Sequence, residues 1–204
     1  MRSRQTISGV VTAMMLVPWL AHGQNASVYE IRPSPEGRFT LEVYKTGLWK
    51  GRRHLFLFRD YHGIIHFDPA SPEKSTVQLT IDGASAVCQD TWVSPSDLKT
   101  VQSKAFELMN VAGHPQLVFS SQRIVPRDGG WYMVQGSLEI GGNSQPVTVN
   151  VKLAGQQPDA LLFSGNAEVR LKDYGLKPPS AALGLIGTRS EMRVEFALRA
   201  TAAR

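Results

Sequence analysis

A mostly antiparallel, eight-stranded β-barrel carrying one amphipathic helix is the fold this sequence predicts. Three observations lead there. Apolar and polar residues alternate at period two along most of the chain, as in strands with one buried face. Short turns rich in Gly, Asp and Asn separate the alternating stretches. A single segment changes to helical spacing. Connections this short join antiparallel neighbours, because a parallel crossover needs a dozen or more residues. Eight such strands must close on themselves or split into a sandwich to manage their edges. Closure is the favoured arrangement, and at eight strands it leaves an interior that side chains fill or that holds one small ligand.

The elements follow in order. Strands are expected over 38–46, 54–67, 77–81, 116–125, 130–140, 147–153, 161–171 and 191–199. The clearest alternations are Val147, Val149, Val151 and Leu153 against Thr148, Asn150 and Lys152, and Met192, Val194, Phe196 and Leu198 against Arg193, Glu195 and Arg199. Turns fall at Asp68-Pro69, at Arg127-Asp128-Gly129-Gly130 and at Gly141-Gly142-Asn143. The stretch 54–67 is apolar on both faces, so one face should line the barrel and the other lie under the helix or the N-terminal segment. Gly63 is the expected point of a kink or bulge within it. The helix is expected over 95–109. Ser94 supplies a hydroxyl cap, Pro95 the first turn and Asp97 a carboxylate three residues after the cap. Leu98, Val101, Ala105, Leu108 and Met109 then form one apolar stripe.

Residues 1–23 read as a secretory leader. Arg2 and Arg4 open it, a mostly apolar run from Thr6 to Leu20 follows, and Ala21-His22-Gly23 gives the small, any, small pattern of a cleavage site. The apolar run is shorter than the ~20 residues that span a bilayer. Residues 24–204 then form one domain outside the cytosol, periplasmic or secreted, with no integral span after cleavage. The 22 basic residues less Arg2 and Arg4 exceed the 17 acidic ones by only three, too little for a nucleic-acid partner. Cys88 is the only cysteine, which rules out an intrachain disulfide.

The order of motifs resembles that of the YceI-like family. Gly63-Ile64-Ile65-His66-Phe67-Asp68-Pro69 and Val77-Gln78-Leu79-Thr80-Ile81-Asp82 are similar to its second and third strands. His114-Pro115-Gln116-Leu117-Val118-Phe119-Ser120-Ser121 resembles the segment after its helix. Gly136-Ser137-Leu138-Glu139-Ile140-Gly141-Gly142 with Pro146-Val147 resembles a family hairpin, and Asp173-Tyr174-Gly175-Leu176 a loop element. The likeness runs from Tyr29 onward. Where the family carries an acidic residue and histidines, this chain has Arg32, Pro35 and Gly141. The resemblance implies an elongated, lipocalin-like, eight-stranded barrel around an apolar channel. It also implies an isoprenoid quinone or polyprenyl lipid as the bound chain, and export to the periplasm.

The candidate ligand-binding residues are the inward apolar positions Phe56, Phe58, Leu79, Phe119, Leu138, Val149, Phe163, Val169, Val194 and Phe196. Each methylene buried yields ~0.8 kcal/mol, so about fifteen enclosed carbons give roughly 12 kcal/mol before association costs. Apolar contact can therefore sustain binding of a long-chain small molecule without a sharp polar motif. No catalytic or metal-binding residue and no cofactor is expected: the chain lacks a G-x-S-x-G elbow, a P-loop, paired cysteines and H-E-x-x-H. His54, His62 and His66 share a parity, but on a strand His62 and His66 stand ~13 Å apart, too far to share one metal. Lys50-Gly51-Arg52-Arg53 and the set Lys172, Asp173 and Lys177 read as solvated loops. Two other readings stay open: an enzyme using the histidines with loop carboxylates, and a partner-binding subunit whose barrel is filled.

Overall fold

The computed structural model describes residues 26–181 and 185–203. The expected leader, 1–23, lies outside the described residues. Eleven strands and one α-helix follow in the order β1 (Ser27–Ile31), β2 (Arg38–Gly47), β3 (Arg53–Phe58), β4 (Tyr61–Phe67), β5 (Thr76–Asp82), β6 (Ala86–Cys88), α1 (Pro95–Leu108), β7 (Gln116–Arg127), β8 (Trp131–Ile140), β9 (Asn143–Gln157), β10 (Ala160–Arg170) and β11 (Ile186–Ala202).

Eight of these strands make a closed antiparallel ring. β1, β4, β5, β7, β8, β9, β10 and β11 pair in that order, and β11 returns to β1 through Tyr29 opposite Ala202 and Ile31 opposite Ala200. The 17 residues of β11 allow it two partners along one edge. Ile186 to Ala197 pairs with β2, and Ala200 to Ala202 with β1. From β2 the wall continues outward through β3 to β6.

The eight expected strands and the eight of the ring are therefore different sets. β1 and the three-residue β6 carry too few alternations to stand out in the sequence, while β2 belongs to the outer arm. The expected single strand over 54–67 is two strands, separated at Arg59-Asp60. The break reverses the parity: His54, Phe56 and Phe58 are buried on β3, whereas Tyr61, Gly63, Ile65 and Phe67 are buried on β4. Two strands with opposite phase look like one strand with two apolar faces. Gly63 makes no kink. It lies mid-strand where a Cβ would come 2.5 Å from the Gln78 carbonyl oxygen, so its role is close approach of β4 to β5.

The helix begins as expected. Ser94 Oγ accepts from the Asp97 amide at 3.1 Å and donates to Asp97 Oδ2 at 2.7 Å. It ends one residue early, with Met109 as its C-cap. Leu98, Val101, Ala105 and Leu108 are half-buried against the core, and Met109 is buried. Gln102 fastens α1 to β6 by accepting from the Cys88 amide at 2.8 Å and donating to the Ala86 carbonyl.

A lipid-sized cavity with one polar end

The inward faces enclose a cavity of about 500 Å³, within the range of small-molecule sites. All ten residues expected to point inward line it: Phe56, Phe58, Leu79, Phe119, Leu138, Val149, Phe163, Val169, Val194 and Phe196. Phe56, Phe58, Phe119 and Val169 are almost fully buried. Leu138, Val149, Phe163, Val194 and Phe196 point inward yet are only half-buried. Side chains that face a packed interior are covered. These face open space instead, so the barrel is not filled by its own side chains.

Two glycines shape that space. Gly165 pairs with Phe196 across β10 and β11, and a Cβ at Gly165 would lie 2.4 Å from Phe196 Cζ. At Gly136, whose register partner on β7 is Ser121, a Cβ would be 2.9 Å from Phe119 Cζ. The Phe196 and Phe119 rings thus lie across bare backbone along the barrel wall. Phe39 stacks on Phe196 with centroids 5.9 Å apart and planes 10° from parallel. A bulge between Ser121 and Arg123 switches the inward phase of β7 from Phe119 to Ile124.

One end of the cavity is polar. Along β2 the inward residues are Phe39, Leu41, Val43 and then Lys45; along β11, reading toward the same end, they are Phe196, Val194, Met192 and then Thr188. The register sets Lys45 opposite Thr188 and Val43 opposite His54. Lys45 Nζ donates to Thr188 Oγ1 at 3.3 Å and sits 5.8 Å from the Trp49 ring. Burial pushes the Lys45 ammonium below the usual lysine range, and the Asp90 carboxylate offsets part of that effect.

His54 has a built environment. Its Nδ1 is 2.5 Å from Asp90 Oδ2, and Asp90 Oδ1 accepts from the Leu55 amide at 3.0 Å. Trp92 stacks on the imidazole at 5.3 Å, and its indole N–H donates to the Arg53 carbonyl at 3.1 Å. The ligating atoms of His54, Cys88 and Asp90 lie within 4.8 Å of one another, the one buried trio of metal-ligating type among the described residues. The arrangement is better suited to hydrogen bonding than to coordination. Nδ1 and both Asp90 oxygens already serve one another or the Leu55 amide, and desolvation pushes the Cys88 thiol up to about 11. A thiol held protonated is neither a ready nucleophile nor a ready metal ligand.

The other histidines are not brought together. His62 and His66 are exposed on β4, a different strand from His54. His114 packs over Gly142, where a Cβ would be 2.7 Å from its ring. Arg52 and Arg53 stay at the surface, Arg52 over Trp92 at 5.4 Å and Arg53 paired with Glu42 at 2.9 Å. Asp173 pairs with Arg170 at 3.0 Å, with Lys172 and Lys177 exposed beside it. Lys45, Thr188, Asp90 and Trp92 were not singled out by sequence. The sequence did carry one signal: Lys45 continues the inward parity of Phe39, Leu41 and Val43.

A closed antiparallel barrel with a hollow apolar lumen and, among the described residues, one α-helix defines a lipocalin-like barrel. The family model described as "YceI-like domain" matches residues 38–200, and the chain belongs to that family. It is 36% identical over 124 residues to the UPF0312 protein of Serratia proteamaculans, covering 58% of this chain and 61% of that protein. It is 33% identical over 138 residues to Protein YceI of Escherichia coli O157:H7, covering 63% and 69%. The match thus spans about three fifths of the length of the Serratia relative. Among solved structures, Burkholderia cenocepacia BcnA shares the fold with a TM-score of 0.64 at 21% identity, over 80% of this chain and 95% of that one. A polyisoprenoid-binding domain of Saccharophagus degradans has a TM-score of 0.57 at 12% identity, over 85% and 98%. Among the described residues, no helix is long and apolar enough to cross a membrane.

Proposed function

We propose that this protein is a periplasmic, non-enzymatic carrier that holds a long apolar chain, an isoprenoid quinone or polyprenyl lipid, inside its barrel. The observation that carries this reading is the cavity of about 500 Å³ walled by inward apolar residues from nearly every strand. A chain of about fifteen carbons there gains roughly 12 kcal/mol of gross burial energy, to be set against association costs of about 4–15 kcal/mol. The ten inward residues named above are its contacts. The polyisoprenoid-binding domain that shares the fold supports this choice of ligand class. The leader-like pattern at 1–23 supports export, with the working protein beginning at Gln24.

The test is organic extraction of the protein purified from its native compartment, followed by mass spectrometry of the extract and of the N-terminus. A stoichiometric isoprenoid and an N-terminus at Gln24 are expected. A protein that carries no chain-like molecule, and that takes up none when offered ubiquinone or a polyprenol, would overturn the carrier reading.

A further inference from the structure

The inward positions of β2 and β11 are apolar through Val43 and Met192 and then become Lys45 and Thr188, with Ile186 beyond them on β11. We propose that Lys45, with Thr188 and His54, forms a subsite for the acidic headgroup of the bound chain, a phosphate monoester or carboxylate rather than a neutral alcohol or quinone. This rests on the carrier reading and adds to it the chemistry of the ligand's polar end.

Lys45 is only 9% exposed, yet among the described residues its ammonium has one hydrogen bond, to Thr188 Oγ1. An ammonium carries three donors, so two have no hydrogen-bond acceptor among the described residues, and the Trp49 ring flanks the group at 5.8 Å. Among the described residues no carboxylate lies within ion-pair distance of Lys45. Asp90 is the nearby negative group, and both of its oxygens are taken by His54 and the Leu55 amide. Burying a cation without a direct partner is costly, and burial already pushes Lys45 down from the usual lysine range. An oxyanion borne on the apolar chain supplies the missing partner. Thr188 Oγ1, already accepting from Lys45, has its own hydroxyl proton to donate to the headgroup.

His54 adds orientation. With Nδ1–H donated to the Asp90 carboxylate, Nε2 is the acceptor nitrogen of the imidazole and can take the O–H of a singly ionised phosphate monoester; His54 lines the cavity. Trp92, stacked on the imidazole, and Trp49, edge-on to Trp92 at 5.5 Å, shield the group from water. Exclusion of water strengthens a charge-assisted hydrogen bond.

The experiment uses delipidated full-length protein and calorimetric titration with three probes: geranylgeranyl monophosphate, geranylgeraniol and inorganic phosphate. Wild type is expected to bind the phosphate ester about tenfold or more tighter than the alcohol. Lys45→Met should bring that ratio to about one while leaving the affinity for the alcohol within about threefold, and Thr188→Val should give an intermediate ratio. Circular dichroism verifies that each variant is folded. Equal binding of ester and alcohol by wild type, or a ratio unchanged in Lys45→Met, overturns the headgroup subsite alone. Inorganic phosphate binding as tightly as the ester, with the same dependence on Lys45, overturns it in favour of a free anion. A wild type that binds neither chain overturns the carrier reading itself.

Discussion

His54 Nδ1 and Asp90 Oδ2 stand 2.5 Å apart, joining β3 to the chain just beyond β6. Both residues are buried, and Asp90 also accepts the Leu55 amide. The pair therefore ties the outermost short strand to the arm that leaves the ring. Replacing Asp90 with Ala strands a buried imidazole N–H and a backbone amide together. Asp90→Ala should cost about 3 kcal/mol in urea unfolding, and Asp90→Asn, which keeps an acceptor, about half as much. An Asp90→Ala cost below about 0.5 kcal/mol would show that the pair adds nothing to stability.

The cavity and the packed core respond to different substitutions. Val149→Trp places a ring into open lumen, so lipid recovered per mole of protein should fall at least fivefold with little change in Tm. Leu161 is 2% exposed and packed in the core. Leu161→Ala should instead cost about 2–5 kcal/mol while lipid occupancy is retained. Measuring occupancy and Tm on both variants separates the two roles, and a loss of occupancy in Leu161→Ala alone would contradict this assignment.

Gly165→Ala tests the glycine under Phe196. The added methyl meets both the Asn150 carbonyl oxygen and the Phe196 ring at 2.4 Å. Backbone cannot yield as a side-chain tip can, so a loss of about 1–3 kcal/mol is expected. Phe196→Leu in the same background should recover part of it. A double mutant no more stable than Gly165→Ala would place the whole cost on the backbone contact.

Cys88 gives the alkaline behaviour a definite sign. Desolvation raises its thiol from 9.0 to about 11 in the folded protein. Between these pH values the unfolded chain has released a proton that the folded chain still holds. Stability therefore falls as pH climbs from about 9 to about 11. Cys88→Ala lacks this contribution, so the Tm difference between wild type and variant should shrink across that window. Tyr174, raised to about 12, titrates in both proteins and cancels in the difference. A difference that stays constant from pH 8 to pH 11 would refute this account.

The inward faces of the long strands were legible because a barrel buries every second residue, and β9 and β11 keep that phase with little interruption. The capping of α1 was legible for a similar reason: Ser94, Pro95 and Asp97 act within one turn. The break at Arg59-Asp60 was not, because two short strands of opposite phase mimic one strand with two apolar faces. Asp90 was beyond reach as well. Its importance comes from a partner 36 positions earlier, and no local pattern reports such a meeting. Lys45 lay between these cases. Its parity was visible, but a lysine near a strand end reads as exposed unless the register to Thr188 is known.

The double pairing of β11 has a consequence for assembly. Its last few residues latch onto Tyr29 and Ile31, and the amide of Ala203 reaches back to the Val28 carbonyl at 2.8 Å. The hoop is thus fastened by the two most distant stretches of the described chain. Closing the hoop therefore spans nearly the whole described chain, a non-local pairing of the kind that slows folding. Trimming 200–203 would leave the staves in place but the hoop unclasped.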